Sequence, residues 1–385
     1  GKGRGETTAA AVVVGVAVVV GVNGVVVVLT GHEPSYDQTR IENVPGDILG
    51  YDASSGDFKW KFHVIPRPGE FGHDTWENDA WQYTGDVSSW APMSADRERG
   101  IVYIPTNPPT IDYFGGFRPG DNLFSTSVIA LDVTTGERVW HFQTVHNDQW
   151  NYDIPNVPII TDLQVDGRGI PAVIQTTKTG LIFAFDRETG EPIWPIEERR
   201  VEQTVVPGNW TAATQPFPTR PEPMEPLGLP DSDIIDFTPE LRSEALEIVS
   251  KYNVGGAFLP RLYGDHSTGV EDNIRCYGGL NITNPATLDP TTGILYVASA
   301  RRCGGGMVMP GIEADNPEAM ATTGTTLSQW VAGPGGGMGT VQGLPLHKPP
   351  YSRLSAFDMN TGERLWWVPV GDTPQTVLDQ IGRAS

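Results

Sequence analysis

The sequence predicts an all-β fold, a β-propeller, and the first reason is a repeated hairpin motif. In four places an Asp is followed by a Gly four residues later and by a Trp eight residues later, between two apolar runs. These copies begin at Asp52, Asp132, Asp186 and Asp358. An Asp side chain can accept the N–H groups of a turn, and a Gly supplies the positive φ of a short hairpin. Each copy therefore predicts a β-hairpin with a Trp in its return strand. We expect the strands to pair in antiparallel sheets arranged radially, with each of these tryptophans buried between neighbouring blades.

The second reason is the spacing of these hairpins. Two related hairpins, at Asp96 and Asp289, keep the Asp and the Gly but continue with Ile-x-Tyr. Several intervals between the Asp positions approach the length of one four-stranded blade, and a period of roughly 40–50 residues in an all-β chain is typical of radial repetition. Six hairpins therefore predict about six blades. A β-sandwich with convergent hairpins is the alternative, and the fixed position of the Trp argues against it.

Length and charge narrow the classes of function. A chain of 385 residues would ordinarily suggest two or three domains, but a repeat array can form one, so we expect a single propeller domain over residues 1–385. The 26 basic and 47 acidic residues give a net charge of −21, which disfavours nucleic acid and anionic membrane surfaces as partners. Two cysteines provide neither a disulfide framework nor a cysteine-based metal site.

The valine- and glycine-rich run over residues 9–29 has two interpretations. Its apolar length suits a transmembrane helix, and Lys2 and Arg4 before it would suit a signal anchor. Valine, however, favours strands, and residues 21–24 have the character of a hairpin turn. We favour a pair of buried strands over a membrane helix.

An insertion interrupts the repeats at residues 199–260. Its first part is rich in proline and cannot form regular blade strands. A helix is predicted over residues 239–252, because Thr238 suits the N-cap, Pro239 suits the first turn, and apolar side chains recur on one face. We expect this small helical insertion to pack on the periphery of the propeller rather than to form a second domain.

Candidate functional residues concentrate in irregular segments between the predicted strands. Residues 63–90 form a long aromatic loop, and residues 143–155 hold the densest cluster of ionisable and aromatic side chains. Lys178 follows a predicted strand and enters a turn. Long loops on a rigid repeat scaffold commonly carry sites, whereas a single charged residue in such a loop is more often a surface group. A Lys placed over the mouth of a propeller could meet an anionic ligand.

Several groups of residues together resemble the propeller of the pyrroloquinoline-quinone (PQQ)-dependent dehydrogenases. They are the repeated Asp-x-x-x-Gly-x-x-x-Trp hairpins, Ser89-Trp-Ala-Pro-Met93, Thr110-Ile-Asp-Tyr-Phe-Gly-Gly116, Val145-His-Asn-Asp-Gln-Trp150, Lys178-Thr-Gly180 and Gly343-Leu-Pro-Leu-His-Lys-Pro-Pro350. The resemblance extends from about residue 11 to the C-terminus and is nearest to the membrane-type glucose and quinate branch. It implies an eight-bladed propeller with the quinone over its central channel and a bound Ca²⁺ or similar ion. With about six blades, the chain resembles a member that lacks material at both ends.

The resemblance also implies roles for individual residues. Trp90 matches the tryptophan that forms the floor under the quinone, and Thr110 matches a threonine that contacts the cofactor. Lys178 matches the lysine that hydrogen-bonds the quinone oxygens, where a cation stabilises the charge that develops as hydride arrives. Asn281 falls near a cofactor-contacting asparagine, one residue out of register, and Glu33 matches a metal-ligand carboxylate of the alcohol branch.

One departure from the family affects the predicted catalytic centre. The family has Trp-Asp where this chain has Trp150-Asn151, and that aspartate is both the general base and a metal neighbour. An amide oxygen can bind Ca²⁺ but cannot take a proton at neutral pH. Asn151 is therefore predicted at the catalytic position as a metal ligand, beside Lys178. On an extended segment Asp153 shares the face of Asn151, whereas Asp148 does not, so Asp153 is the alternative base.

The resemblance implies a periplasmic quinoprotein, with attachment to the inner membrane left open. It would oxidise a hydroxyl of a sugar, polyol or similar alcohol to a carbonyl and pass electrons to a quinone or a cytochrome. A non-enzymatic propeller scaffold is the rival, favoured by Asn151, whereas Trp90, Thr110 and Lys178 favour the enzyme. The methanol- and ethanol-type branch is a third alternative, which the loop at residues 89–92 and Lys178 make less probable.

The two cysteines, Cys276 and Cys303, flank a predicted strand over residues 293–300. The adjacent-cysteine disulfide of the family is absent from this sequence. In the oxidising compartment that the resemblance implies, a bridge between Cys276 and Cys303 can form, and their spacing alone leaves the question open.

Overall fold

The computed structural model describes residues 12–14, 17–30, 38–264, 273–280, 284–311 and 326–372, together with residues 375 and 378. Strands dominate these residues, with the α-helix α1 at Pro239–Val249 and short 3₁₀ helices at His73–Thr75, Ala80–Gln82 and Asp231–Asp233. The strands are β1 (Val12–Val14), β2 (Ala17–Val22), β3 (Val25–Leu29), β4 (Ile48–Asp52), β5 (Phe58–Phe62), β6 (Ser94–Asp96), β7 (Ile101–Pro105), β8 (Ser127–Asp132), β9 (Arg138–Gln143), β10 (Ile159–Val165), β11 (Arg168–Thr176), β12 (Ile182–Asp186), β13 (Ile196–Arg200), β14 (Thr214–Pro218), β15 (Asn253–Gly255), β16 (Leu262–Tyr263), β17 (Asn273–Tyr277), β18 (Thr287–Asp289), β19 (Ile294–Ala300), β20 (Arg302–Pro310), β21 (Trp330–Gly336), β22 (Ser352–Asp358) and β23 (Glu363–Pro369).

Four of the described sheets carry the repeat hairpins, and we call them repeat sheets one to four. Sheet one pairs β1 to β5 in sequence order, sheet two β6 to β9, and sheet three β10 to β12. Sheet four has the order β18-β19-β22-β23. All the neighbours in these sheets are antiparallel. The all-β prediction is therefore confirmed.

Apolar clusters fill the space between successive repeat sheets. Ile48 of sheet one shares a buried cluster with Ile129 of sheet two. Val128 of sheet two shares a second cluster with Phe183 of sheet three. A third cluster joins sheet three to sheet four through residues such as Ile174 and Leu295. Because each interior sheet packs on a different neighbour with each face, the sheets follow one another as the blades of a propeller do.

The repeat hairpins do not correspond one to one with blades, although the described residues form six sheets in all. The hairpin at Asp96 joins β6 to β7 and the hairpin at Asp132 joins β8 to β9, so both lie in sheet two. In the same way the hairpins at Asp289 and Asp358 both lie in sheet four. A four-stranded blade contains two hairpins of this kind, one of which ends with Ile-x-Tyr and one with Trp.

The valine-rich segment forms strands where the structure describes it. Strands β2 and β3 are joined at Asn23 and Gly24, whose φ values of 49° and 79° are those of a tight primed turn. The side chain of Asn23 donates to the backbone oxygen of Arg97, which ties this turn to sheet two. The preference for strands over a membrane helix is confirmed for residues 12–14 and 17–29. Among the described residues no helix has the length and apolar character needed to span a membrane.

Each of the first three repeat tryptophans lies against the hairpin glycine of the next repeat sheet. The pairs are Trp60 with Gly136, Trp140 with Gly190 and Trp194 with Gly362. A Cβ built on these glycines would lie 2.4, 2.7 and 3.1 Å from the respective ring, so the contact needs a residue without a side chain. The three tryptophans are only 6, 5 and 9 % exposed. This relay of ring onto glycine holds consecutive sheets in register.

The fourth repeat tryptophan does not follow this pattern. Trp366 lies in β23, the edge strand of sheet four, and it is 43 % exposed. The expectation that every repeat tryptophan is buried between blades is therefore wrong for Trp366. The reason is that, within the described chain, no hairpin glycine lies against its ring.

The insertion contains a hairpin, α1 and part of a mixed sheet. Strands β13 and β14 form a two-stranded antiparallel hairpin. The predicted N-cap is confirmed, because Thr238 Oγ1 accepts the N–H of Leu241 at 3.1 Å. Leu241 and Ala245 of α1 are buried against residues that include Ile274 of β17. The mixed sheet has two short parallel pairs, β15 with β17 and β16 with β20, so the expectation of antiparallel pairing throughout is wrong here.

The two cysteines form a disulfide bridge between neighbouring strands of the mixed sheet. Cys276 of β17 and Cys303 of β20 are directly opposite each other in an antiparallel pair, with Cα atoms 4.1 Å apart. The sequence alone did not decide whether the two cysteines form a bridge. Their side chains meet only because of the register in which β17 pairs with β20.

Candidate functional site

The segment that follows β9 turns one acidic side chain inward. Asp148 is fully buried, and its carboxylate accepts the N–H groups of Trp150 and Tyr152 at 2.9 and 3.0 Å. The hydroxyl of Thr126 donates to it at 2.8 Å. Burial raises the pKa of Asp148, although these hydrogen bonds oppose the shift. Asp148 thus organises the turn from the inside and does not face a ligand.

Asn151 points the other way, toward the site. Its φ of 61° lies in the left-handed region that Asn adopts more readily than most residues. The Asn151 Nδ2 group donates to Asp112 Oδ2 at 2.7 Å. Its Oδ1 atom accepts from Lys178 Nζ at 2.8 Å. The amide therefore joins a carboxylate on one side to an ammonium on the other.

Lys178 lies in the turn after β11 and has a second acidic partner. Its Nζ donates to Asp153 Oδ2 at 2.7 Å, so Asp153 and Asn151 share this ammonium. Burial lowers the pKa of Lys178, but the charge and hydrogen bond of Asp153, together with the nearby Asp148 and Tyr277, outweigh it, and the net pKa is raised. Lys178 is therefore a charged donor at neutral pH.

A pair of glycines supports the Lys178 turn from behind. A Cβ on Gly279 would lie 2.1 Å from the Lys178 carbonyl oxygen, and one on Gly278 would lie 2.3 Å from the Glu225 side chain. The N–H of Leu280 donates to the Thr177 oxygen at 3.1 Å. The backbone of residues 278–280 thus packs directly on the turn that carries Lys178, and only glycine allows this approach.

Asp112 is the site residue that sequence reasoning missed. It lies in the loop after β7, and its backbone N–H donates to Gln38 Oε1 at 3.0 Å. Burial, followed by the nearby charges of Asp153, Asp86 and Asp148, raises the pKa of Asp112 to about 7. Asp112 belongs to residues 110–116, one of the motifs on which the family resemblance rests. That motif could have identified Asp112 as a candidate site residue. Its contact with Asn151 depends on two loops meeting, which the sequence does not reveal.

The remaining predicted residues are placed as follows. Thr110 is buried, and its Oγ1 accepts from Asn43 Nδ2 at 2.7 Å, two residues before Asp112 on the same loop. Trp90 is half-buried at the end of a segment whose Gly85 oxygen accepts the Thr110 N–H at 3.1 Å. Among the described residues no hydrogen bond or ring contact joins Trp90 to Lys178. Glu33 and Asn281 lie outside the described residues.

The oxygen atoms of this cluster fit a hard cation. Asp112, Asn151 and Asp153 provide two carboxylates and one amide oxygen in one hydrogen-bonded chain, and oxygen ligands of this kind suit Ca²⁺. Burial is the largest cause of the raised pKa of Asp112, and the negative charges of Asp153, Asp86 and Asp148 add to it; a bound cation would offset these charges. No group of three or more His, Cys, Asp or Glu side chains arranged to hold a metal ion occurs in the described part of the chain. Lys178 is placed to meet a carbonyl or carboxylate oxygen.

Residues 3–383 match the family described as "PQQ: Glucose/ethanol/alcohol dehydrogenase, beta-propeller domain". The chain belongs to this PQQ propeller family. It is 33 % identical over 374 residues to the glycerol dehydrogenase large subunit of Gluconobacter oxydans, an alignment that covers 91 % of this chain and 48 % of that protein. It is 28 % identical over 400 residues to the quinate/shikimate dehydrogenase (quinone) of Acinetobacter baylyi, covering 97 % of this chain and 45 % of that protein. The PQQ propeller chain thus spans about half the length of the curated relatives it matches.

Solved structures agree on the fold of this PQQ propeller. The quinohemoprotein alcohol dehydrogenase from Comamonas testosteroni superposes with a TM-score of 0.53 at 18 % identity, covering 90 % of this chain and 45 % of that one. A europium-containing methanol dehydrogenase gives a TM-score of 0.53 at 20 % identity, covering 94 % and 54 %. At this level of identity the likeness concerns the fold alone. The propeller prediction and the family resemblance are both confirmed.

Proposed function

We propose that this chain forms the propeller of a quinoprotein dehydrogenase that oxidises a hydroxyl of a sugar, polyol or other alcohol to a carbonyl. Its cofactors would be PQQ and Ca²⁺. The observation that carries the proposal is the Lys178 ammonium, which donates hydrogen bonds to Asn151 and Asp153. The family resemblance assigns this residue as the quinone-binding lysine. Residues 1–385 would form one domain, with residues 199–260 as its insertion.

PQQ, when bound, supplies the two-electron carbonyl acceptor of the reaction. An ammonium group has three N–H donors, and Lys178 directs two of them to Asn151 and Asp153, so the third can meet a ligand oxygen. Trp90 would offer its half-buried ring as a flat support, and Thr110 would contact the cofactor from the neighbouring loop. Asn281 and Glu33 complete the proposed set, Asn281 at the cofactor and Glu33 at the metal ion together with Asn151.

The substrate hydroxyl must also lose a proton, and carboxylates are the groups that can accept it. By the resemblance Asn151 matches the general base of the family, and its side-chain amide is not basic enough to accept a proton near neutral pH. Asp153 and Asp112 flank it, and the pKa of about 7 of Asp112 is suited to proton transfer near neutral pH. The proposed reaction therefore depends on one of these two carboxylates.

The named relatives suggest small polyhydroxy substrates. Their names specify glycerol, quinate or shikimate, and glucose. We propose a substrate of this class, a periplasmic location with attachment to the inner membrane, and a quinone or cytochrome as the electron acceptor. The Cys276–Cys303 bridge supports an oxidising compartment.

Absorption titration of the purified chain with PQQ, with and without Ca²⁺, tests the proposal. We expect Trp90→Ala and Lys178→Ala each to weaken PQQ binding about tenfold or more. Loss of ring contact costs roughly 0.5–1.5 kcal/mol beyond burial, and loss of a charge-assisted hydrogen bond about 1.5–3 kcal/mol. Phe58→Ala and Lys251→Ala are the controls for loss of an exposed aromatic ring and of an exposed lysine. Unchanged affinity in both site variants would remove the support for PQQ binding.

The second candidate is a propeller scaffold that has kept the hairpins and lost the chemistry. The presence of Asn151 favours this scaffold function, because by the resemblance an amide stands where the family has its general base. A chain that binds PQQ and Ca²⁺ but reduces no dye with any small alcohol, polyol or hydroxy acid would support this second function.

A further inference from the structure

The buried side chain of Arg118 joins the two segments that carry the candidate site. Arg118 is fully buried, and its Nη2 group donates to the Ile111 oxygen at 3.2 Å and to the Asp148 oxygen at 2.8 Å. Ile111 directly precedes Asp112, and Asp148 lies shortly before Asn151. One nitrogen atom thus holds together two segments that are far apart in the sequence.

A second set of hydrogen bonds fixes the guanidinium group itself. Arg118 Nη1 donates to Asn122 Oδ1 at 2.8 Å, and Asn122 Nδ2 donates to the Arg118 oxygen at 3.0 Å. Asn147 Nδ2 donates to the same Oδ1 atom at 3.1 Å and to the Gly120 oxygen at 2.7 Å. Asn122 and Asn147 are both fully buried. Because a buried polar group that loses its partner is costly, this arrangement holds the Arg118 side chain in one orientation.

The same two segments meet again at the site. Asn151 Nδ2 donates to Asp112 Oδ2 at 2.7 Å, next to the backbone that Arg118 binds. A guanidinium group carries its N–H donors in one plane on separate nitrogen atoms, so it can bind both carbonyl oxygens and Asn122 at once. A lysine has a single side-chain nitrogen and cannot occupy the positions of Nη1 and Nη2 together. The contacts at position 118 therefore require an arginine.

We propose that Arg118 is a positioning residue of the candidate site. It sets the distance between Asp112 and Asn151, and hence the spacing of the oxygen atoms that would hold a cation. The inference rests on the proposed function for this second effect, whereas the first belongs to the chain without any cofactor. An arginine with a purely structural role would loosen the whole fold when replaced. A positioning residue predicts a loss that is confined to the site.

Hydrogen exchange of the Asn151 side-chain amide in the cofactor-free chain tests the proposal, by NMR with isotope-labelled asparagine. The Asn151 signal is assigned by its absence from the Asn151→Ala variant. We expect Arg118→Lys to make this exchange about tenfold faster, roughly the effect of losing one hydrogen bond. Asn122→Gly should do the same, because it removes the side chain that orients the guanidinium, and Gly accepts the φ of 55° at this position.

Arg187→Lys is the matched control for these variants. Arg187 is also buried and donates to a backbone oxygen, that of Thr161, at 2.8 Å. Among the described residues, no hydrogen bond or ion pair joins Arg187 to a side chain of the site. Unchanged exchange in both site variants would overturn the proposal, and so would an equal increase in Arg187→Lys. If Arg118→Lys does not fold, Asn122→Gly decides.

Terbium luminescence adds a measurement of the cation site, because Tb³⁺ binds the kind of oxygen ligands that suit Ca²⁺. The signal from this site is the part that Asp112→Asn abolishes. We expect Arg118→Lys to weaken Tb³⁺ binding at this site about tenfold or more, as replacement of residues behind metal ligands commonly does, and Arg187→Lys to leave it unchanged. Equal affinity in the native chain and Arg118→Lys would overturn the effect on cation spacing. A native chain that binds no Tb³⁺ here would contradict the proposed Ca²⁺ site, and the exchange rates would then decide the role of Arg118.

Discussion

The side chains of the candidate site form one hydrogen-bonded chain, Asp112–Asn151–Lys178–Asp153. Asn151 is the central member, since it donates to a carboxylate and accepts from an ammonium. A carboxylate in its place would still accept from Lys178 but would face Asp112 without a proton between them. Whether residue 151 is an amide or a carboxylate thus determines how many protons and how much negative charge the cluster holds, and so how strongly a cation would stabilise it.

Replacing Asn151 by Asp tests which residue takes the substrate proton. If Asn151 occupies the vacant base position, Asn151→Asp should raise dye-linked alcohol oxidation by about 10²–10⁴-fold, the usual contribution of a general base. PQQ affinity should stay within a few fold, and the Ca²⁺ requirement should increase. Asn253→Asp, at an exposed strand end, controls for the added charge.

Asp153 provides the competing account. If it serves as the base, Asp153→Asn should abolish an already substantial native rate, and Asn151→Asp should do little. Steady-state rates of both variants, each titrated with PQQ so that binding losses are seen separately, distinguish the two accounts.

Asp112 should make the stability of the cation-free chain depend on pH. Its pKa is about 7 in the folded chain against 3.8 for an ordinary Asp, so the folded state binds the proton more tightly than the unfolded state. This contribution to stability is fully present below pH 4 and is lost as the pH rises to about 7. The Asp112→Asn variant does not lose this stability as the pH rises. The difference between its Tm and that of the native chain should therefore increase in favour of the variant from pH 5 to pH 7.5.

Circular dichroism melting in a chelator is the measurement for Asp112. Asp166→Asn, in an exposed turn, is the matched control and should leave the slope unchanged. A Tm difference for Asp112→Asn that does not vary with pH would contradict the raised pKa.

Among the elements, β17 connects the disulfide to the neighbourhood of the site. Cys276 lies between Arg275, whose guanidinium is 3.4 Å from the Tyr152 hydroxyl, and Tyr277, whose ring centroid is 5.4 Å from that of Tyr152. Tyr152 in turn follows Asn151. The bridge to β20 therefore fixes the strand that packs behind the site.

Removing the bridge should lower stability more than it lowers PQQ affinity. With a sequence separation of 27, the Cys276→Ser/Cys303→Ser variant should lose about 3 kcal/mol of unfolding free energy, largely through a less restricted unfolded chain. Denaturant titration with and without reductant measures this, and the double variant should not respond to reductant. Two free thiols in the denatured, unreduced native chain would contradict the bridge.

The elements also show what sequence patterns can and cannot predict. Turns and helix starts depend on residues that are close together in the sequence, so local patterns were sufficient to predict them. Examples are the Asp and Gly of each hairpin, and Thr238 and Pro239 at the start of α1. The sharing of one sheet by the hairpins at Asp96 and Asp132 depends on pairing between β7 and β8 across a loop of about twenty residues. Lys178 and Asn151 were predicted from motifs, whereas the contact with Asp112 arises only when separate loops meet.

For the whole molecule, the relay of tryptophan onto glycine is the expected source of cohesion between sheets. Trp140 touches Phe185 of sheet three and Tyr103 of its own sheet, with ring centroids 5.7 and 5.8 Å apart. Trp140→Ala should therefore reduce the free energy of unfolding by about 3–5 kcal/mol. Trp210→Ala, whose ring is 38 % exposed, should cost much less. Equal losses in the two variants, measured by denaturant unfolding, would contradict the relay as the main tie between sheets.

The glycines behind the Lys178 turn have a consequence for how this protein can vary. Gly279 has no room for a methyl group, because the Lys178 carbonyl oxygen would lie 2.1 Å from a Cβ at this position. In a library of random substitutions selected for dye reduction, position 279 should accept almost no replacement, whereas the exposed Lys251 should accept nearly all. Substitutions fail at such a position because the backbone is crowded. A mutational survey alone would therefore wrongly identify Gly279 as a residue that takes part in the reaction.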